Sequence, residues 1–189
     1  MSSKFQQNLD EHRALFAGLE ALAGPVTRAA ELMAQVLQSD RKLMLCGNGG
    51  SAADSQHLAA EFTGRFIDDR RPLAAMALST DTSALTCIAN DYSFDEVFYR
   101  QVLGLGVAGD CLVAISTSGN SKNVLRAVEA ARSLKMHTIG LLGRDGGKLA
   151  PLCEVAIVVP SATTARIQEA HILIGHTLCG MVEESLQLA

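Results

Sequence analysis

The stretch Lys42-Leu43-Met44-Leu45-Cys46-Gly47-Asn48-Gly49-Gly50-Ser51-Ala52 decides the fold. A short apolar run stops at a glycine-rich turn, and a helical pattern takes over from about Ser51 to Phe66. The same order returns further on. Asp110-Cys111-Leu112-Val113-Ala114-Ile115 is apolar, Ser116-Thr117-Ser118-Gly119-Asn120-Ser121 is a polar turn, and a helix is predicted from Ser121 to Leu134. Runs that are apolar throughout, rather than alternating, are strands buried on both faces. Strands that alternate with helices build a parallel, doubly wound α/β sheet. Three more strands, at 73–78, 137–142 and 155–159, bring the expected sheet to five, with further helices near 82–90, 94–104 and 164–186. In such sheets ligands bind outside the carboxyl ends of the strands, and both turns leave such ends.

Two amphipathic helices, 5–22 and 25–39, precede the sheet unit and are split at Gly24-Pro25, where proline suits a first helical turn. They are extra to the sheet and could pack on a partner subunit. The 189 residues are expected to form a single domain over 1–189, with 1–40 as the N-terminal helical pair and 41–189 as the α/β core. A hydrophobic fraction of 48% excludes disorder, yet no apolar run approaches a membrane span. The first residues lack the apolar stretch of a signal peptide. A net charge of −4 with no long basic run argues against nucleic acid as a partner. Cys46, Cys87, Cys111, Cys153 and Cys179 form no C-x-x-C pair and read as buried, reduced thiols, which with the missing signal peptide points to the cytoplasm.

Four hydroxyl residues within Ser116–Ser121 exceed what a helix cap needs, although Ser121 by itself reads as an ordinary cap. Clustered hydroxyls, free amides and a helix dipole make a phosphate site. No Lys-Ser or Lys-Thr pair closes the loop, so it is not a nucleotide P-loop. Gly47, Gly49 and Ala52 also fit a dinucleotide fingerprint, but the acidic residues at the right distance, Asp68 and Asp69, lie in a polar loop rather than at the end of a second strand. Contacts to sugar or phosphate by Asn48, the loop amides of Gly49 and Gly50, and Ser51 are the stronger reading; a tight turn that simply needs glycine is the plainer one.

His57 and Glu61 stand four apart, about 40° around a helix. They can face one ligand as an acid/base pair or as metal ligands, and the same spacing is commonplace on a polar surface stripe. On the last helix Gln168 and His176 are eight apart, about 12 Å along the axis. One ion could hold both only if the side chains bent toward each other or two chains contributed. His171 reads as a surface or hydrogen-bonded interior histidine and His137 as structural. Asn90 and Asp91 end a helix, as such residues do at turns, and could equally hold sugar hydroxyls.

Gly47-Asn48-Gly49-Gly50-Ser51, His57-Leu58-Ala59-Ala60-Glu61-Phe62-Thr63-Gly64-Arg65, Asn90-Asp91, Ser116–Ser121 and Arg166-Ile167-Gln168-Glu169 occur together and in an order that resembles the sugar isomerase (SIS) domain family. Within it the chain is similar to the phosphoheptose isomerases over about residues 25–187. The resemblance implies an SIS fold and an aldose–ketose isomerase that converts sedoheptulose 7-phosphate to D-glycero-D-manno-heptose 7-phosphate, the first step toward the heptose of lipopolysaccharide core. It implies a cytoplasmic homotetramer with sites between subunits. Substrate would be held by Asn48, Gly49, Gly50, Ser51, Glu61, Asn90, Asp91, Ser116, Thr117, Ser118, Ser121 and Gln168. One zinc ion per subunit would be bound by His57, Glu61, Gln168 and His176.

Ketose–aldose exchange through an enediol needs a base for the carbon proton, an acid/base for oxygen protons and a group to hold the enediolate charge. Glu61 is assigned the first role and His176 the second. A carboxylate bound to zinc is a poorer base, so the two roles of Glu61 conflict. The rival is the non-catalytic branch of the family that binds the bacterial replication initiator; it shares the glycine and serine loops, and the presence of both Glu61 and His176 argues against it. A sugar-phosphate-sensing regulatory domain would carry a DNA-binding module, for which 189 residues leave no room.

Overall fold

A computed structural model describes residues 3–188. Five strands, β1 (Leu43–Cys46), β2 (Ala75–Ala77), β3 (Cys111–Ser116), β4 (His137–Gly143) and β5 (Val155–Val159), form one sheet in the order β2-β1-β3-β4-β5. Every neighbouring pair is parallel. Leu45 faces Ala77 on one side and Val113 on the other, Val113 faces Ile139, and Leu141 faces Ile157. The chain leaves β1 toward one edge and returns at β3 to build toward the other. The direction of winding therefore reverses between β1 and β3, and a crevice opens there at the carboxyl ends of the strands.

Seven α-helices cover the two faces: α1 (Lys4–Phe16), α2 (Ala23–Gln38), α3 (Gly50–Thr63), α4 (Thr82–Asp91), α5 (Val97–Leu105), α6 (Lys122–Ser133) and α7 (Thr164–Ser185). Successive strand residues point to opposite faces. Leu43, Leu45, Val113, Ile115, Ile139 and Leu141 pack with α2, α3 and α7, while Met44, Leu112, Ala114 and Leu142 pack with α5 and α6. In β1 and β3 every residue is buried, which is why these strands carry no alternating pattern, whereas the edge strand β5 is buried at alternate residues.

Two boundaries and the packing of α2 differ from the sequence expectation. The N-terminal helices part at Ala17-Gly18, with a 3-10 turn at Leu19–Leu22, and not at Gly24-Pro25. Gly24 and Pro25 sit inside the first turn of α2, where a missing N–H costs nothing because the first four amides have no partner in the helix. α2 is also no appendage: Val26, Ala29, Ala30, Met33, Val36 and Leu37 are buried against α7 and the sheet, and among the described residues only α1 of this pair buries no residue. Finally, α3 ends at Thr63 and β2 begins only at Ala75. Leu73 N–H is spent on Phe62 carbonyl at 2.9 Å, so the chain first caps α3 and then enters the sheet.

No helix among the described residues is long and apolar enough to cross a membrane. Cys46, Cys111 and Cys179 are buried, Cys153 is half-buried and all the cysteines are free, but Cys87 is exposed on α4. Burial pushes the Cys153 and Cys179 thiols up to about 12. Three of the five expectations of a buried thiol therefore hold fully, and Cys87 corrects the fifth.

Candidate active site

The two loops that leave β1 and β3 meet side by side. Asn48 Nδ2 donates to Asn123 Oδ1 at 2.8 Å and Asn123 Nδ2 donates back to Asn48 Oδ1 at 2.8 Å. This reciprocal amide pair ties the glycine loop to the first turn of α6 across the β1–β3 crevice. Asn123 is 3% exposed, a polar residue at a buried position of an otherwise apolar helix face. The sequence reading did not select it; its signal was an Asn in step with Val124, Ala127 and Val128.

Gly49 stands at the N-cap of α3 with φ 58°, ψ −120°, a conformation that a side chain resists, and no side chain caps the helix. At Gly50 a Cβ would collide with the amide of Gln168. Gly50 thus lets α7 approach the start of α3 directly, while Gly49 serves the turn. Ser51 is buried beneath the loop. In the second loop Ser121 does occupy the N-cap of α6, yet its hydroxyl makes no capping bond. Ser121 Oγ instead meets Ser116 Oγ at 3.1 Å, and Ser118 Oγ accepts from Asn120 N–H at 3.2 Å. The expected role of Ser121 as a cap is corrected accordingly. Among the described residues no side chain caps α3 or α6, and both helices point their positive ends at the crevice. Thr117 and Ser118 line it half-buried.

α3 and α7 lie side by side and run the same way. Gly50 meets Gln168 at one end, Leu58 packs where Gly175 lacks a side chain, and His57 reaches His176. The Nε2 atoms of His57 and His176 are 2.8 Å apart, and His57 Nε2 lies 3.3 Å from Glu61 Oε1. One ligand atom from each of His57, Glu61 and His176 falls within 4.8 Å of the others. Two imidazole nitrogens and a carboxylate are the borderline donor set that zinc and related divalent ions favour, so these residues fit such an ion. The same three groups, without an ion, can pass protons among themselves. Gln168, expected beside His176, is placed against Gly50, roughly 10 Å of helix before His57.

Other positions fall outside this cluster. Asn90 and Asp91 close α4 on an exposed edge, where Asn90 Nδ2 donates to Asp91 Oδ1 at 2.8 Å and Cys87 Sγ lies 3.5 Å from Asp91 Oδ2. Among the described residues neither is hydrogen-bonded to the loops or to the histidines. Asp68 and Asp69 are exposed in the chain before β2, with no strand end beside them. His171 is the interior histidine: its Nε2 lies 2.9 Å from Leu142 carbonyl, and burial pushes its pKa down, so it stays neutral with Nε2–H donating. His137 Nδ1 pairs with Glu154 at 2.8 Å at the far end of β4.

The family model described as the SIS domain matches residues 7–143. Over 186 residues, 98% of this chain and 100% of the relative, the sequence is 54% identical to the phosphoheptose isomerase of a Nitratiruptor species. The chain belongs to the SIS domain family, in its phosphoheptose isomerase branch. A second SIS relative, the phosphoheptose isomerase of Neisseria meningitidis serogroup B, is 58% identical over 170 residues, covering 88% of this chain and 86% of its own. The structure of phosphoheptose isomerase GmhA from Neisseria gonorrhoeae superposes with a TM-score of 0.89 at 53% identity, covering 94% of this SIS chain and 96% of that one. A phosphoheptose isomerase from Francisella tularensis gives 0.94 at 36% identity over 97% of this chain and 100% of its own.

Proposed function

We infer that this chain is an aldose–ketose isomerase that converts sedoheptulose 7-phosphate to D-glycero-D-manno-heptose 7-phosphate through an enediol, the first step toward the heptose of lipopolysaccharide core. The observation that carries the reading is the convergence of His57, Glu61 and His176 from α3 and α7, on the same α3 whose first turn opens at the crevice next to the serine loop proposed to take phosphate. The relatives, similar over nearly the whole chain, are named as isomerases, which favours catalysis over binding of a replication initiator.

Ser116, Thr117, Ser118 and Ser121, with the amide end of α6, hold the phosphate; Asn48, Gly49, Gly50, Ser51 and Gln168 hold the sugar chain. Glu61 takes the proton from C1 of the ketose and returns it at C2 of the enediol. His176 moves the oxygen protons and assists ring opening. His57, Glu61 and His176 would hold one zinc ion, which when bound supplies a Lewis acid for the carbonyl oxygen, while Gln168, seated against Gly50, is kept for the sugar chain. Asn90 and Asp91, exposed in one chain, would act on a neighbour's substrate in a homotetramer. A cytoplasmic location fits a biosynthetic enzyme of a phosphorylated sugar. The whole of 1–189 is read as one SIS domain. NMR of the purified protein with sedoheptulose 7-phosphate tests the function: an aldose product supports it, and unchanged ketose at stoichiometric enzyme defeats it.

A further inference from the structure

We propose that Arg70 and Glu183 form a positioning clamp that sets the mutual geometry of Glu61, His57 and His176. Both side chains are 2% exposed, and Arg70 Nε meets Glu183 Oε1 at 2.5 Å. The rest of the guanidinium is spent mainly on the carboxyl end of α3, with a further bond from Nη1 to the Arg71 carbonyl at 3.1 Å. Nη2 donates to the carbonyl of Glu61 itself at 2.7 Å, and Nη1 donates to Phe62 carbonyl at 2.9 Å. These are carbonyls that the end of a helix leaves without partners inside the helix, that of Phe62 being shared with Leu73 N–H, and a cation there also opposes the helix dipole.

The other half of the clamp reaches His176. Glu183 lies seven residues beyond His176 on α7, two turns along the same face. Its Oε1 also accepts from Phe66 N–H at 3.3 Å, and the Phe66 ring stacks on the imidazole of His176, with centroids 5.6 Å apart and an interplanar angle of 28°. One buried carboxylate oxygen thus holds, through Arg70, the backbone of Glu61 and, through Phe66, the face of His176. α3 carries His57 and Glu61 and α7 carries His176, so the relative placement of the two helices is the geometry of the cluster. A planar, five-donor guanidinium can bridge a carboxylate and two helix carbonyls at once, whereas an ammonium cannot fork in that way.

The inference rests on the reading of His57, Glu61 and His176 as the reactive, metal-holding group, and the experiment separates the two. The full chain is titrated with Co2+ alone, followed by visible absorption and calorimetry, and kcat and KM for sedoheptulose 7-phosphate are measured. Arg70→Lys keeps a positive charge beside Glu183 but loses the fork over Glu61 and Phe62. Phe66→Leu leaves the ion pair intact and removes only the ring on His176. Outer-shell changes of this kind cost about 10–100-fold in metal affinity or activity. Both variants should therefore lose Co2+ affinity and kcat about tenfold, with an altered visible band, while KM moves less than about twofold because the phosphate grip is untouched. A folded Arg70→Lys with the parent's Co2+ spectrum, affinity and kcat overturns the proposal, even if its unfolding midpoint falls. Should circular dichroism reveal that Arg70→Lys does not fold, Phe66→Leu decides by the same readings. A parent chain that takes up no Co2+ defeats the metal reading only, and the clamp is then judged by kcat against KM.

Discussion

Replacing Asn123 by alanine removes both bonds of the amide pair that joins the two loops. Each is a neutral side-chain bond of 2.8 Å. A bond of this kind contributes about 1 kcal/mol net, so the pair is worth about 2 kcal/mol. The loss stays near that figure because Asn48 is only half-buried and can recover water in place of its partner. With a urea slope of about 2 kcal/mol/M, the unfolding midpoint should fall by about 1 M. The functional loss is separate. Freed from α6, the Gly47–Gly50 turn no longer presents its amides in a fixed place, and KM should rise up to about tenfold, equivalent to ~1.4 kcal/mol, with a smaller fall in kcat. Urea denaturation and steady-state kinetics on Asn123→Ala, Asn48→Ala and the double variant make the test. Residues in contact are non-additive, so the double variant should be scarcely less stable than either single one. Fully additive losses, or a single variant with the parent's midpoint and KM, would refute the account of the loops as a tied pair.

Three further outcomes are expected. Glu61→Gln keeps the side-chain shape but cannot accept the carbon proton, so it should fold as the parent does and lose about 10²–10⁴ in turnover; retention of near-parental turnover removes Glu61 from the mechanism. Alanine at Ser116, Ser118 and Ser121 together should raise KM more than it lowers kcat, since the phosphate is unchanged by the reaction; a fall in kcat with KM intact contradicts a simple grip. His171 is held neutral by burial, with a folded pKa below its unfolded value of about 6.5. Below that pH the unfolded chain binds the extra proton, so stability falls on acidification, by at most about 1.4 kcal/mol per pH unit, and His171→Gln should flatten the slope in chemical denaturation from pH 7 to 5.

The parallel sheet was legible because its strands are apolar throughout and each ends in a glycine or hydroxyl turn; those are local signals. The split of α1 from α2 was misplaced because Gly24-Pro25 looks like a break, yet proline in a first turn breaks nothing. Single-residue spacing placed His57 and Glu61 on one face of α3, but it could not bring His176 to them, since that contact depends on how α7 lies on α3. The Asn48–Asn123 pair and the Arg70–Glu183 clamp are tertiary bonds between residues 75 and 113 positions apart, and no periodicity announces them. Ser121 is the opposite case: its position at the start of α6 is local, whereas the direction of its hydroxyl is set by Ser116 across the loop.

The serine loop leads into α6 on one face of the sheet, and the histidines stand on α3 and α7 on the other. On the proposed reading, with phosphate at the Ser116–Ser121 loop and the reacting carbon at Glu61, the span between them is set by helices packed on a buried sheet. On that reading the site would work as a ruler for carbon-chain length. A six-carbon 6-phosphate would seat its phosphate among the hydroxyls and leave its carbonyl one bond short of Glu61. Shorter sugar phosphates should accordingly compete with a seven-carbon substrate and block turnover without being turned over themselves.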